Sequence, residues 1–137
     1  MVDLSIKDAL SKVEKFHNAF GIKNNFNPTS EIEIGEIELR HLLMQEENDE
    51  YLEAARNKDI VEIADALGDQ LYILCGTILK HGMQDLIVEV FEEIQRSNMS
   101  KLDLNGKPIY REDGKVLKGE NYFGPDIKSI LEKNLEK

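Results

Sequence analysis

Cysteine is nearly missing from this chain of 137 residues. Cys75 stands alone, so no internal disulfide can form, and its place in the apolar run LYILCG reads as a small buried hydrophobe of a reducing compartment. Long apolar runs are missing too. No stretch approaches the roughly 20 residues that a membrane-spanning helix needs, and the opening MVDLSIKDAL carries acids and no apolar signal core. A soluble, cytoplasmic protein is expected. Positive charge is scarce: 17 Lys and Arg against 27 Asp and Glu give a formal net charge of -10. Such a surface repels nucleic-acid backbone and anionic lipid, so neither nucleic acid nor membrane is an expected partner. A small anionic substrate stays open, because a bound cation inverts the field of an acidic site.

What is present is helical periodicity, over a length that suits one domain spanning residues 1–137. Ile6, Leu10, Val13, His17 and Phe20 recur every three or four residues, predicting an amphipathic helix over about 5–20. GIKNNFNPTS then has turn and loop composition. A second helix is predicted over about 36–56, with EIEIG before it as an irregular lead-in. RNKD makes a tight connection, and Asp59 with Glu62 resembles a capping box opening a third helix over about 59–81, so the two helices form an antiparallel hairpin. The third is apolar on Ile60, Ile63, Ala64, Leu67, Leu71, Leu74 and Ile78, and nearly all round beyond Asp69, which predicts burial of its second half. A fourth helix over about 85–97 turns Leu86, Val90 and Ile94 inward and Glu89, Glu92 and Glu93 outward. Residues 98–124 hold the turn signals Asn105-Gly106 and Asp113-Gly114 among Lys107, Arg111, Lys115 and Lys118, a basic loop or small hairpin. A last helix is predicted over about 125–135, with Pro125 at or near its first turn. The fold class is all-α, a bundle of about five helices around the central hairpin.

Acids sit where core residues are expected. LLMQEENDEYLEA places Glu46, Glu47 and Glu50 on a face shared with Leu39, Leu43 and Ala54. On the third helix Glu62, Asp65 and Asp69 form one stripe at three- and four-residue spacing, continued by Tyr72, Ile73 and Gly76. Folding the helices back near Asn57 and Lys58 brings Glu47 and Glu50 level with Glu62 and Asp65. Facing carboxylates in a low dielectric must be protonated, paired with bases or bound to a cation. The stripe has no base, and Arg40 and Arg56 lie at the two ends of helix two, so a cation is the simplest answer. All-oxygen ligation suits Mg2+, or Mn2+; held this way, magnesium keeps positions for water and substrate phosphates. In the basic segment, Lys101, Arg111, Lys115 and Lys118 offer charge to phosphate oxygens, Asn98 and Asn121 offer amides to a base or sugar, and Tyr122 offers a ring to stack on.

EENDE (Glu46 to Glu50) followed by EIAD (Glu62 to Asp65) resembles the Glu-Glu-x-x-Glu and Glu-x-x-Asp signature of the MazG-like all-alpha nucleoside triphosphate pyrophosphohydrolases. FHNAFG, DALGDQLYILCGT and SNMSKLDLNGKPIYREDGKVLKGENYFGPD are similar to the single-domain branch that includes dimeric dUTPase-like members. The resemblance implies Mg2+-dependent hydrolysis of a (deoxy)nucleoside triphosphate to the monophosphate and pyrophosphate, for nucleotide-pool sanitation, by a homodimer or higher homo-oligomer. Carried over residue by residue, it implies Glu47, Glu50, Glu62 and Asp65 as metal ligands and Glu46 as the acid that orients or deprotonates the attacking water. Asp69 lies outside the motif, as a further ligand or an outer acid. His17 matches the FHxAFG pattern and is assigned to the nucleotide pocket, beside its plainer reading as a hydrogen-bonded core residue.

Two other readings compete. A di-iron carboxylate bundle needs Glu-x-x-His, which Glu14-x-x-His17 and Glu38-x-x-His41 satisfy as strings. Yet Glu14 lies off the apolar face of its helix, and His41 faces away from the acids. An acidic helical adaptor explains the charge but not acids on inward faces.

Overall fold

A computed structural model describes residues 3–135 of the chain. Among these, five helices form: α1 (Ile6–Ala19), α2 (Ile34–Arg56), α3 (Ile60–Lys80), α4 (Ile87–Met99) and α5 (Ile127–Leu135). The chain is all-α; pairing among the described residues is confined to an isolated bridge between Tyr110 and Val116. No described helix is long and apolar enough to cross a membrane. The residues divide into two compact units, Met1–Asp85 and Leu86–Lys137.

In the first unit, Ser5 opens α1 with a capping box: its hydroxyl accepts from the Asp8 amide at 3.2 Å, and the Asp8 carboxylate accepts from the Ser5 amide at 3.1 Å. Leu10, Val13 and His17 of α1 are buried, and α1 packs against α3. Helices α2 and α3 form the expected hairpin, turning through Asn57, Lys58 and Asp59. Asp59 caps α3, its carboxylate accepting from the Glu62 amide at 3.2 Å. The loop between α1 and α2 closes the other end of α3. The Asn25 side chain donates to the Lys80 carbonyl at 2.6 Å, its backbone amide donates to the Leu79 carbonyl at 3.0 Å, and the Thr29 amide donates to the His81 carbonyl at 3.0 Å. Carbonyls left without helical partners at a helix end are thereby satisfied. Only glycine fits at Gly82, where φ is +65° and an added Cβ would lie 2.1 Å from the Asn27 carbonyl oxygen.

The apolar core of this unit is Leu10, Val13, Ala54, Ala66, Cys75, Ile78 and Leu79. Leu79 is fully buried, which contributes about 2 kcal/mol of transfer free energy. The expected burial of α3 holds only in part. Cys75, Gly76, Ile78, Leu79 and Lys80 are inside, whereas Ile60, Leu67, Leu71 and Leu74 are exposed. Asp69 and Thr77 turn toward α2, where Asp69 meets Glu47 and Glu50 and the Thr77 hydroxyl accepts from Arg40, which leaves Ile60, Leu67, Leu71 and Leu74 on another side of the helix. Ile6, Phe20 and Leu39 are likewise exposed rather than inward.

In the second unit α4 packs with α5, and Leu86 and Ile130 are its buried apolar side chains. Two expectations change here. Ile94 is exposed, and Glu93 turns inward as an anchor. Its carboxylate accepts from Arg96 at 2.6 and 2.9 Å and from the Asp126 amide at 2.9 Å, which holds its pKa down at about 2. The segment between α4 and α5 is pinned to α4, with the Ser97 hydroxyl donating to the Phe123 carbonyl at 2.8 Å and the Arg96 guanidinium 4.3 Å over the Phe123 ring. A tight turn closes between Ile109 and Leu117, with Gly114 at φ +89°. Asp126 accepts from the Ser129 amide at 3.1 Å and so caps α5, which puts Pro125 just before the cap.

Candidate functional site

The hairpin brings three carboxylates to one point. Glu47 and Glu50 from α2 and Asp69 from α3 each place an oxygen within 4.8 Å of the other two. The arrangement is electrostatically expensive without a cation. Burial, a side-chain hydrogen bond with Glu50, and the charges of Asp69, Glu50 and Asp65 push the Glu47 carboxyl up to about 7. Asp69 is raised by burial and then by Asp65 and Glu50. One oxygen of Glu47, Oε2, is buried with no hydrogen-bond partner. An unsatisfied buried carboxylate oxygen beside two more carboxylates is the donor set a hard divalent cation takes. The trio contains no histidine or cysteine.

The remaining acids lie around this point. Asp65 is exposed on α3, and its charge acts on both Glu47 and Asp69. Glu62 does not join the trio; with Glu50, Glu53, Asp59 and Asp65 it lines an open cleft of about 420 Å³ beside the α2–α3 turn. Glu46 is exposed on α2 and lines neither the trio nor that cleft.

A cationic group sits farther along the same hairpin, and Arg40 is the residue that sequence reasoning passed over. It is buried on α2, and its guanidinium crosses to α3, donating from Nε to the Thr77 hydroxyl at 3.1 Å and from Nη2 to the Ile73 carbonyl at 2.8 Å. Among the described residues no carboxylate pairs with it. The signals were there: Arg40 precedes Glu47 by two helical turns and so shares its face, and Gly76 sits in the middle of a helix. A Cβ at Gly76 would lie 2.6 Å from Arg40 Nη2 and 3.0 Å from His17 Nε2. His17 itself is buried, with Nδ1 2.5 Å from Asn24 Oδ1. Burial lowers its pKa, helped by the Arg40 and Lys80 charges and opposed by the Asn24 bond. Lys80, also buried, pairs with Glu36 at 2.9 Å and donates to the Lys23 carbonyl at 2.6 Å.

The other residues singled out by the sequence belong to the second unit. Asn98, Arg111, Lys115, Lys118 and Asn121 are exposed; Lys101 and Tyr122 are half-buried. Arg111 is already paired, forking onto the Asp113 carboxylate at 2.9 and 2.5 Å. The Lys118 ammonium lies 4.7 Å over the Tyr122 ring and covers the face offered for stacking.

The sequence profile of the family described as phosphoribosyl-ATP pyrophosphohydrolase matches residues 13–98, more than half of the chain. That span includes the whole hairpin with its acids. Among solved structures, a crystal structure from Exiguobacterium sp. 255-15, described provisionally as an NTP pyrophosphohydrolase, is similar at 26% identity. The likeness covers 94% of this chain and 94% of that chain, with a TM-score of 0.43. No curated protein matches the chain.

Proposed function

The chain belongs to the phosphoribosyl-ATP pyrophosphohydrolase family, whose named reaction is hydrolysis of a pyrophosphate bond, and from that premise we propose that it cleaves a (deoxy)nucleoside triphosphate to the monophosphate and pyrophosphate with Mg2+, or Mn2+, as a nucleotide-pool sanitation enzyme. The observation that carries the reading is the Glu47, Glu50 and Asp69 trio with its unpartnered buried oxygen. These three would hold the cation, and Asp65 and Glu62 line the adjoining cleft together with Glu50. When bound, the metal supplies charge neutralisation on the phosphate oxygens.

The chain's own groups supply the rest. Glu47, which keeps a proton near neutral pH when no cation is present, must release it to ligate. Glu46, exposed beside it, is the carboxylate that orients or deprotonates the attacking water. Arg40 keeps the two helices in register by bonding across them. Lys101, Lys115 and Lys118 offer charge to phosphate oxygens, Asn98 and Asn121 offer amides to base or sugar, and Arg111 does so only after leaving Asp113. Tyr122 accepts a base only after Lys118 moves aside. His17, buried against Gly76 and bonded to Asn24, is assigned to the inner wall of the nucleotide pocket. The working form is a homo-oligomer in the cytoplasm.

The test is pyrophosphate release from a panel of canonical and modified nucleoside triphosphates, with phosphoribosyl-ATP beside them, in Mg2+. Turnover of one substrate, reduced at least about a hundredfold in Glu50→Gln and in Asp69→Asn while both variants stay helical, is the expected outcome. No turnover of any substrate, with an equal metal response in wild type and variants, would return the chain to the adaptor reading.

A further inference from the structure

Aromatic side chains gather on the surface of the first unit, where α1 meets α3. Between ring centroids, Phe16 lies 4.5 Å from Phe20 and 5.7 Å from Tyr72, the second pair edge to face at 83°. These rings are not core: Phe16 and Tyr72 are each 40% exposed, and Phe20 is 70% exposed. Their backbone is nevertheless fixed. The Phe20 amide donates to the Phe16 carbonyl at 3.0 Å, the Ile22 amide donates to the His17 carbonyl at 2.8 Å, and Gly21 between them takes φ +70°, which closes the end of α1. His17, next in sequence to Phe16, is buried against Gly76 of α3 and so holds this side of α1 in place.

The cluster adjoins the cation trio. Seven residues make almost two helical turns, so Tyr72 stands above Asp65 on one face of α3, with Asp69 between them. We propose that Phe16, Phe20 and Tyr72 form the seat on which the substrate's nucleobase stacks, and that this seat favours purine over pyrimidine nucleotides. A nucleotide whose phosphates rest on a cation at Glu47, Glu50 and Asp69 meets these rings one turn farther along α3. Rings set nearly at right angles suit a flat guest, which lies on one and meets the other edge-on, the two arrangements that aromatic rings favour. Apart from the Tyr72 hydroxyl the three side chains carry no polar atom, so they hold a base by its area rather than by its edge. A purine offers two fused rings to that grip and a pyrimidine offers one. An altered edge, as in a deaminated purine, is tolerated for the same reason. Charges border the cluster, with Lys12 one turn before Phe16 on α1 and Asp69 one turn before Tyr72 on α3, which leaves apolar room for a base and not for a second chain. The ring of Tyr122, by contrast, is already covered by Lys118. The inference rests on the nucleotide hydrolysis proposed above and adds what selects the substrate.

Calorimetric titration of the full chain in Mg2+ separates the base from the phosphates, using α,β-methylene nucleotides that cannot be cleaved and tripolyphosphate, which has no base. Wild type should bind α,β-methylene-ATP at least about tenfold more tightly than tripolyphosphate, with α,β-methylene-UTP in between. Phe20→Ala and Tyr72→Leu should each bring the ATP analogue toward the tripolyphosphate value, while tripolyphosphate binding and particle mass by light scattering stay as in wild type. Tyr72→Phe should keep the wild-type preference. Should Tyr72→Leu unfold, Phe20→Ala, at the most exposed of the three rings, decides alone. Equal affinity of wild type for the ATP analogue and tripolyphosphate overturns the seat and leaves the hydrolysis reading in place. A base preference that survives in Phe20→Ala and Tyr72→Leu also overturns it, as does a change of particle mass instead of affinity. If neither tripolyphosphate nor either analogue binds, the hydrolysis reading falls and the seat falls with it.

Discussion

Glu47 carries its proton to about pH 7 in the folded chain, against 4.5 for an ordinary glutamate. The folded state therefore holds a proton that the unfolded chain has already released, and stability falls as pH rises from about 4.5 through about 7. In chelator-treated protein the melting temperature should decline across that window, and Glu47→Gln, which cannot ionise, should flatten the decline. Equal slopes in the two proteins would remove the electrostatic account of the trio. His17 acts with the opposite sign: kept below its ordinary 6.5 chiefly by burial, it costs stability as pH falls beneath that value. A different residue stores backbone strain. Lys58, in the turn between α2 and α3, has φ 56°, a left-handed conformation that costs a side chain about 1 kcal/mol. Lys58→Gly should raise the unfolding free energy from denaturant titration by up to that amount, and a lowered value would mean that its side chain contributes something the backbone does not reveal.

At the scale of the element, Gly76 ties α3 to both of its neighbours. Alanine there gains about 1 kcal/mol of helix propensity, but it must displace an Arg40 guanidinium held by two hydrogen bonds and a His17 ring held by Asn24. Freeing a buried guanidinium from its acceptors costs more than the propensity returns, so Gly76→Ala should destabilise by about 1–3 kcal/mol in urea titration. A stabilised variant would show that Arg40 moves at no cost. The helices themselves were legible in the sequence: all five observed helices begin and end within two residues of the expected bounds, because caps and turns such as Ser5, Asp59 and Gly82 act locally. Facing was less legible. Leu67, Leu71 and Leu74 read as core because periodicity reports which residues share a side, not which side meets a neighbour. In the site, pairing Glu47 with Glu50 followed from spacing alone, whereas bringing Asp69 into the trio depends on the rotation of α3 against α2, which only the packed hairpin specifies. Arg40 was hidden for the same reason.

For the whole molecule, cation binding to a site present only when folded must appear as stability. Millimolar Mg2+ or Mn2+ at neutral pH should raise the melting temperature of chelator-treated protein, by an amount equivalent to about 2.7 kcal/mol where the ion reaches a hundred times its Kd. Glu50→Gln should lose most of the shift. A shift that survives unchanged in Glu50→Gln and Asp69→Asn would locate the ion elsewhere. The two units also differ in what their loops can tolerate. In Leu86–Lys137 the turn at Gly106 is closed by Asp103, whose carboxylate accepts from the Asn105 and Lys107 amides at 2.9 and 2.8 Å without joining one helix directly to the next. The turn of Met1–Asp85 has a different job. Asn57, Lys58 and Asp59 are bonded back to α2 through the Glu53, Ala55 and Ala54 carbonyls in turn, and forward to α3 through the Asp59 cap. Those three residues thus work as a ruler. One residue added there would turn α3 by about 100° and slide it by about 1.5 Å, taking Asp69 away from Glu47 and Glu50. Chain length can drift at Gly106 while the trio survives, but at Lys58 the count of residues is itself part of the cation's address.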